Sequence, residues 1–228
     1  MTSLIKKFFG LESLTAHRII LDKYLEESEV YMTGKVLDIG GKKVLKRGYF
    51  KPPLDKVEKW EYLNIDKRTK PDYCCSAEDI PLTANNFDTV LLCEILEHLE
   101  NPEKAIKEAE RILKPGGNIL ISMPFLFPIH GDPDDFQRYT DLKLIKLLED
   151  NNIKIIKIKT MGYYYTVLSD FLMLGILNKI NNKYKRYILW ILFKPLLNIL
   201  LKLDKKSEKN QLTSFAGGFF IIGEKPEG

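Results

Sequence analysis

Short apolar runs alternate along the chain with stretches of helical periodicity, and the two periods separate expected strands from expected helices. Residues 12–31 place Leu14, Ile19, Ile20, Tyr24 and Leu25 among charged positions, which predicts an amphipathic helix covering the sheet edge. Buried strands are expected at Val36–Ile39, Trp60–Ile65, Phe87–Cys93 and Asn118–Ser122. Between the last two, Asn101-Pro102 opens a helix through Ile106, Ala109 and Leu113, since Asn suits a cap and Pro a first turn, and Lys114-Pro115-Gly116-Gly117 stops it. Asp141–Asp150 is helical, Ile153–Lys159 alternates as a strand with one polar face, and Gly218–Glu224 is a final strand. Strands alternating with helices predict an α/β fold with a doubly wound, mostly parallel sheet.

A chain of 228 residues with 45% hydrophobic and 29% charged positions fits one soluble domain with an elaboration. The formal charge of +4 is too small to indicate nucleic acid, so no nucleic-acid partner is expected. Its distribution says more, because residues 161–214 hold nine basic and three acidic side chains while the remainder is slightly acidic. Three cysteines, two of them adjacent at Cys74 and Cys75, give neither a disulfide framework nor CxxC spacing, so no metal site is expected and a reducing cytoplasm fits. Residues 1–18 lack the uninterrupted apolar core and cleavage site of a secretion signal.

The richest stretch is Val36–Gly41 (VLDIGG), followed by Asp66 and by the run from Phe87 to Pro124. A strand ending in an acid and two glycines, with a second acid about 25 positions later, is how an α/β sheet holds a nucleoside-containing cofactor. Taken alone, Gly40-Gly41 also fits a plain strand-to-helix turn, Asp66 a surface acid, and His98 a packing or helix-end residue. In order and spacing, with SAEDIPLTANNFDTVLLCEILEHLENPEKAIKEAERILKPGGNILISMP, the sequence resembles the class I S-adenosylmethionine-dependent methyltransferases of the type 11-like kind.

That resemblance implies a seven-stranded Rossmann-like sheet and S-adenosyl-L-methionine as cofactor. It implies Asp38, Gly40 and Gly41 under the methionine part, Asp66 on the ribose hydroxyls, Ser76, Ala77 and Glu78 beside the adenine, and Glu94 with Ile95 beside the sulfonium. The residues fit these tasks: glycines let the backbone approach a ligand, and a carboxylate accepts two donors at once. Lys42 stands where the family pattern has a second glycine, and Ser76 where many relatives have Asp. These departures motivate a competing hypothesis, a degenerate fold acting as scaffold or sensor. A dinucleotide dehydrogenase is disfavoured because GxGxxG is absent.

The loop after Pro124, PFLFPIHGDPDDFQRYT, gathers His130, Asp132, Asp135, Arg138 and Tyr139 at the ligand-binding edge of such a sheet. His130 is the candidate base for a hydroxyl acceptor, Asp135 its orienter, and Arg138 a clamp for phosphate or carboxylate. An Asp135–Arg138 salt bridge closing the loop is the alternative. This loop resembles that of methyltransferases from bacterial surface-polysaccharide clusters, which implies a glycan or lipid-linked saccharide acceptor; a lipid or quinone acceptor is the competing one. Residues 161–214 form a basic, apolar helical insertion before the last, antiparallel strand. Ile188–Leu203 makes roughly 24 Å of helix against a hydrocarbon core of roughly 30 Å, so a span is not expected. Left open are a helix at the inner face of the cell membrane, a lid over the site, or a homodimer contact.

Overall fold

The computed structural model describes residues 15–44, 48–131, 134–177, 179–207 and 211–227. Leu14 and Asp132, both weighed above, lie outside them. Six strands form one sheet: β1 (Lys35–Ile39), β2 (Lys59–Leu63), β3 (Phe87–Cys93), β4 (Leu113–Pro124), β5 (Lys154–Thr160) and β6 (Gly218–Glu224). Their order is β2-β1-β3-β4-β6-β5; the first four are parallel, and β6 runs antiparallel to both of its neighbours.

The period-two pattern divides the strands between two cores. Leu37, Val90, Leu92, Ile119, Ile121 and Ile221 face one side, where α2 (Pro102–Ile112) and α3 (Asp141–Asp150) pack. Val36, Leu91, Leu120, Phe220 and Ile222 face the other, beneath Leu21 and Leu25 of α1 (Ala16–Glu27). The first helix therefore covers a face of the sheet, not its edge, because its buried positions Ala16, His17, Leu21, Asp22 and Leu25 lie on one side of the helix.

The expected seventh strand is replaced, among the described residues, by a single bridge between Leu63 and Tyr73. The cause lies at the outer edge of β2. Asp72 and Tyr73 both donate backbone N–H groups to the Tyr62 carbonyl, at 2.8 and 3.0 Å, and the Asp72 carboxylate accepts the Tyr62 N–H at 3.0 Å. One turn thus satisfies that edge, and Pro71 has no N–H to extend the ladder. At the head of α2, Asn101 occupies the cap position without a capping side-chain bond; its backbone N–H donates instead to Glu78 Oε1 at 3.0 Å.

The insertion forms α4 (Tyr164–Leu177) and α5 (Lys183–Ser207), and among the described residues no helix is long and apolar enough to cross a membrane. Asp204 of α5 secures the start of α4: its carboxylate accepts the backbone N–H groups of Tyr163, Tyr165 and Thr166 and the Thr166 hydroxyl at 2.6–3.2 Å. A carboxylate is stabilised there by the otherwise unpaired amides of a helix N-terminus. Asp170 of α4 does the same for α1, accepting from Ala16 and His17 at 2.6 and 3.0 Å. The insertion, the first helix and the sheet are therefore tied together at the carboxyl ends of the strands.

Candidate active site

Strand order reverses direction between β1 and β3, and the crevice outside their carboxyl ends is where such sheets bind ligands. β1 leaves through Gly40, whose φ of +80° is left-handed, and a Cβ there would come within 2.7 Å of Ile95 Cδ1. A Cβ on Gly41 would meet the Asp38 carboxyl at 2.3 Å. The loop is fixed from β2: Gly40 donates to the Leu63 carbonyl at 2.7 Å, and the Asn64 amide donates to the carbonyls of Gly40 and Gly41 at 2.9 and 3.0 Å. Asn64 was not singled out from the sequence, although Asn directly after a strand and near an acid is the available signal.

Asp38 pairs in register with Tyr62, and burial, with the charges of Asp38 and Asp72, pushes the Tyr62 phenol up to about 12. Asp66 lies three residues beyond β2. Hydrogen bonds from Arg68 hold its carboxyl below the usual range, and the charge of Lys42 adds to this. The Arg68 guanidinium covers both carboxylate oxygens at 2.9–3.1 Å, but its own side chain is 84% exposed, so it exchanges readily for other donors. Ser76 accepts the Glu78 N–H at 3.1 Å, and Ala77 is buried in the core.

Glu94 closes β3 in a left-handed conformation, φ +54°, which a non-glycine residue keeps only when its surroundings hold it. Its N–H reaches both the carbonyl and the hydroxyl of Ser122 at 3.1 Å, and its carboxylate accepts the Ser122 hydroxyl at 2.8 Å. The other carboxylate oxygen meets His17 Nε2 at 2.8 Å. Burial alone pushes the Glu94 carboxyl up and the His17 imidazole down, but each overcomes it for the other: Glu94 sits below its usual value and His17 above. Both shifts favour the charged pair, an imidazolium facing a carboxylate. His17 was absent from the sequence-derived site because helical periodicity gives no hint that residue 17 meets residue 94.

On the acceptor side, the loop after β4 folds onto a 3₁₀ turn, Leu96–His98. Phe136 N–H donates to the Glu97 carbonyl at 2.8 Å, and the Gln137 amide donates to the carbonyls of Leu96 and Leu99 at 3.1 and 2.7 Å. This brings His130 to His98, with ring centroids 5.1 Å apart and planes at 83°. Phe127 touches both His130 and His17, at 5.4 and 5.1 Å between centroids, and so joins the two halves of the site.

Asp135 and Arg138 form a bidentate ion pair, and Arg138 holds the Asp135 carboxyl down at about 2. Asp135 also accepts the His130 backbone N–H at 2.8 Å, while its nearer oxygen stands 3.4 Å from His130 Nδ1. Burial pushes the His130 imidazole down, leaving it neutral with a lone pair. Beside it Glu97 is fully buried, neither carboxyl oxygen has a hydrogen-bond partner among the described residues, and burial raises its pKa well above the usual value.

Residues 56–121 match the family described as a methyltransferase domain. Among curated proteins, the chain is 28% identical over 126 residues to the mitochondrial 2-methoxy-6-polyprenyl-1,4-benzoquinol methylase of Caenorhabditis elegans, covering 48% of this chain and 44% of that protein. It is 30% identical over 106 residues to the ubiquinone/menaquinone biosynthesis C-methyltransferase UbiE of Rhizobium meliloti, covering 46% and 31%. The chain thus spans less than half the length of these relatives. Among solved structures it resembles the 4+2 cyclase SpnF, with TM-score 0.58, 18% identity and coverage of 91% of this chain and 80% of that one. It also resembles phosphoethanolamine N-methyltransferase 2 of Haemonchus contortus in complex with S-adenosylhomocysteine, with TM-score 0.56, 16% identity and coverage of 90% and 52%. The fold is that of the Rossmann-like methyltransferases, with six strands.

The His17–Glu94 pair gives stability a pH signature. A raised histidine contributes fully below about 6.5, its unfolded value, and loses that contribution as pH rises through its folded value; a depressed Glu94 contributes above its unfolded value of about 4.5 and loses it in acid. Removing one partner of a buried pair costs about 3 kcal/mol. Urea unfolding across pH should therefore show His17→Gln well below the native chain near pH 6 and converging with it above neutrality. A constant gap across that range would mean that His17 is not charged.

Proposed function

We propose that the chain is an S-adenosylmethionine-dependent methyltransferase acting on a small hydroxylated acceptor with an apolar part. The observation that carries this is the convergence, at one crevice, of the Gly40 turn, Asp66 and the Glu94–Ile95 strand end, within and beside the segment that matches the methyltransferase domain. The residues fit the cofactor by their own geometry: Gly40 and Gly41 leave no room for side chains, and Asp66 offers a solvent-facing carboxylate for a diol. The cofactor supplies an electrophilic methyl group. A similar fold also serves a cyclase, so the fold alone does not fix the reaction.

For a hydroxyl acceptor, transfer forms the oxygen–carbon bond as the carbon–sulfur bond breaks; the sulfur keeps the electron pair and the hydroxyl gives up its proton. Most of the acceleration then comes from alignment, which the packed loop 134–139 and the turn at Leu96–His98 provide. His130 supplies a lone pair toward the hydroxyl. Asp135 and Arg138 act by holding that loop, since each is already the other's partner.

The relatives favour an apolar-tailed acceptor of the quinol kind, and neither curated relative reported above is named for a saccharide acceptor. The insertion supports the same choice. An apolar cleft between α4 and α5 is lined by Met173, Ile176, Trp190 and Phe193, and α5 exposes Ile188, Leu192, Leu196 and Ile199 beside lysines. Such a face suits the boundary of an anionic bilayer, where an apolar-tailed acceptor resides.

Calorimetric titration with S-adenosylmethionine and S-adenosylhomocysteine should show one site per chain, weakened about tenfold or more by Asp66→Ala. A folded sample that binds neither supports the scaffold hypothesis instead. The native chain should also sediment with vesicles containing phosphatidylglycerol, and Leu192→Glu with Leu196→Glu should abolish this. Retention of the doubly substituted chain on vesicles would show that α5 is not the contact.

A further inference from the structure

We propose that Glu97, His98 and His130 form a binding site for a divalent first-row transition ion, of the Zn²⁺ or Co²⁺ type, at the acceptor end of the crevice. One donor atom from each residue lies within 4.8 Å of the other two. His98 Nε2 and Glu97 Oε1 are 3.6 Å apart, close to the roughly 3.4 Å between neighbouring ligands of a tetrahedral ion with bonds of about 2.1 Å. Two imidazoles and one carboxylate suit such ions and leave positions open for an oxygen ligand.

Two further observations point to an occupant. The imidazoles are already oriented as ligands: His98 Nδ1 meets the Asp134 carbonyl at 2.5 Å and His130 Nδ1 the Pro128 carbonyl at 3.3 Å. A carbonyl only accepts, so each Nδ1 carries the hydrogen and each Nε2 keeps its lone pair, the arrangement in which histidine binds metal. The second observation is Glu97. A carboxyl with no solvent exposure and, among the described residues, no hydrogen-bond partner on either oxygen is costly unless something else completes its coordination. A cation between it and the two rings does so.

The site departs from the sequence expectation of no metal, which considered cysteine spacing. Its place at the acceptor rests on the methyltransferase reading, while ion binding itself does not. With an ion present, the His130 lone pair is committed to the ion and His130 no longer serves as the base; the ion would polarise a bound acceptor hydroxyl so that its proton passes to solvent water, and the open coordination positions favour acceptors with one or two hydroxyls.

The full chain, stripped with a chelator and passed through a desalting column, is titrated with CoCl₂ by visible absorption and with ZnCl₂ by calorimetry, and circular dichroism checks each variant's fold. The expected result is one ion per chain with d–d absorption typical of nitrogen and oxygen ligands. His98→Ala and His130→Ala should each lose the site, and Glu97→Gln, which keeps the side-chain shape, should weaken it at least about tenfold. Absence of a bound ion, or an ion retained by both folded His98→Ala and His130→Ala, overturns the proposal. S-adenosylhomocysteine binding is measured on the same metal-free samples, so a failed metal site with intact cofactor binding separates this proposal from the methyltransferase reading.

Discussion

The buried bridge between His17 and Glu94 is the constraint on which the site's construction depends. Glu94 ends the central strand β3 in a left-handed conformation that its residue type does not favour, and it remains there because three partners hold it: the Ser122 carbonyl, the Ser122 hydroxyl and the His17 ring. His17 in turn is set by Asp170, which caps α1 from the insertion. Removing any one member leaves a charge or a helix end buried without its partner. The same bridge positions Phe127 against His17, and Phe127 positions His130. Cofactor side and acceptor side are thereby coupled through side chains in direct contact.

The site's electrostatics follow from this arrangement. A carboxylate at Glu94, neutralised by His17, places little net charge beside a sulfonium, whereas the same carboxylate raises the cost of ionising Glu97 a turn away. Glu97 and Asp135 are both acids in one small region, yet their pKa values are pushed in opposite directions. The Arg138 guanidinium on both oxygens holds Asp135 down, whereas burial raises Glu97. On the surface, the lysines of β5 give an edge that resists further strand pairing, and the lysine-flanked apolar face of α5 gives a face suited to lipid.

Local patterns carried much of the fold. Asp141–Asp150 and Phe87–Cys93 were legible to the residue because caps, turns and apolar periodicity agree there. The strand count was not: seven came from family resemblance, whereas the outer edge of β2 is closed by a turn at Asp72 that only the three-dimensional hydrogen bonding reveals. The glycine turn, Asp66 and Glu94 stood out because each ends a strand, and strand ends converge at one edge of a parallel sheet. His17 and Glu97 did not, since the partner of His17 is distant in sequence and the Glu97 carboxyl has no hydrogen-bond partner among the described residues. His98 looked like a helix-end residue until His130, 32 positions away, was placed against it.

The placement of the cofactor crevice is most directly tested by a crystal structure of the chain with S-adenosylhomocysteine. Ribose hydroxyls are expected on the Asp66 carboxylate with Arg68 displaced, the adenine beside Ser76–Glu78, and the sulfur beside Glu94–Ile95 with the His17–Glu94 bridge intact. A ligand bound elsewhere, or Asp66 still closed by Arg68 in the occupied protein, would contradict it.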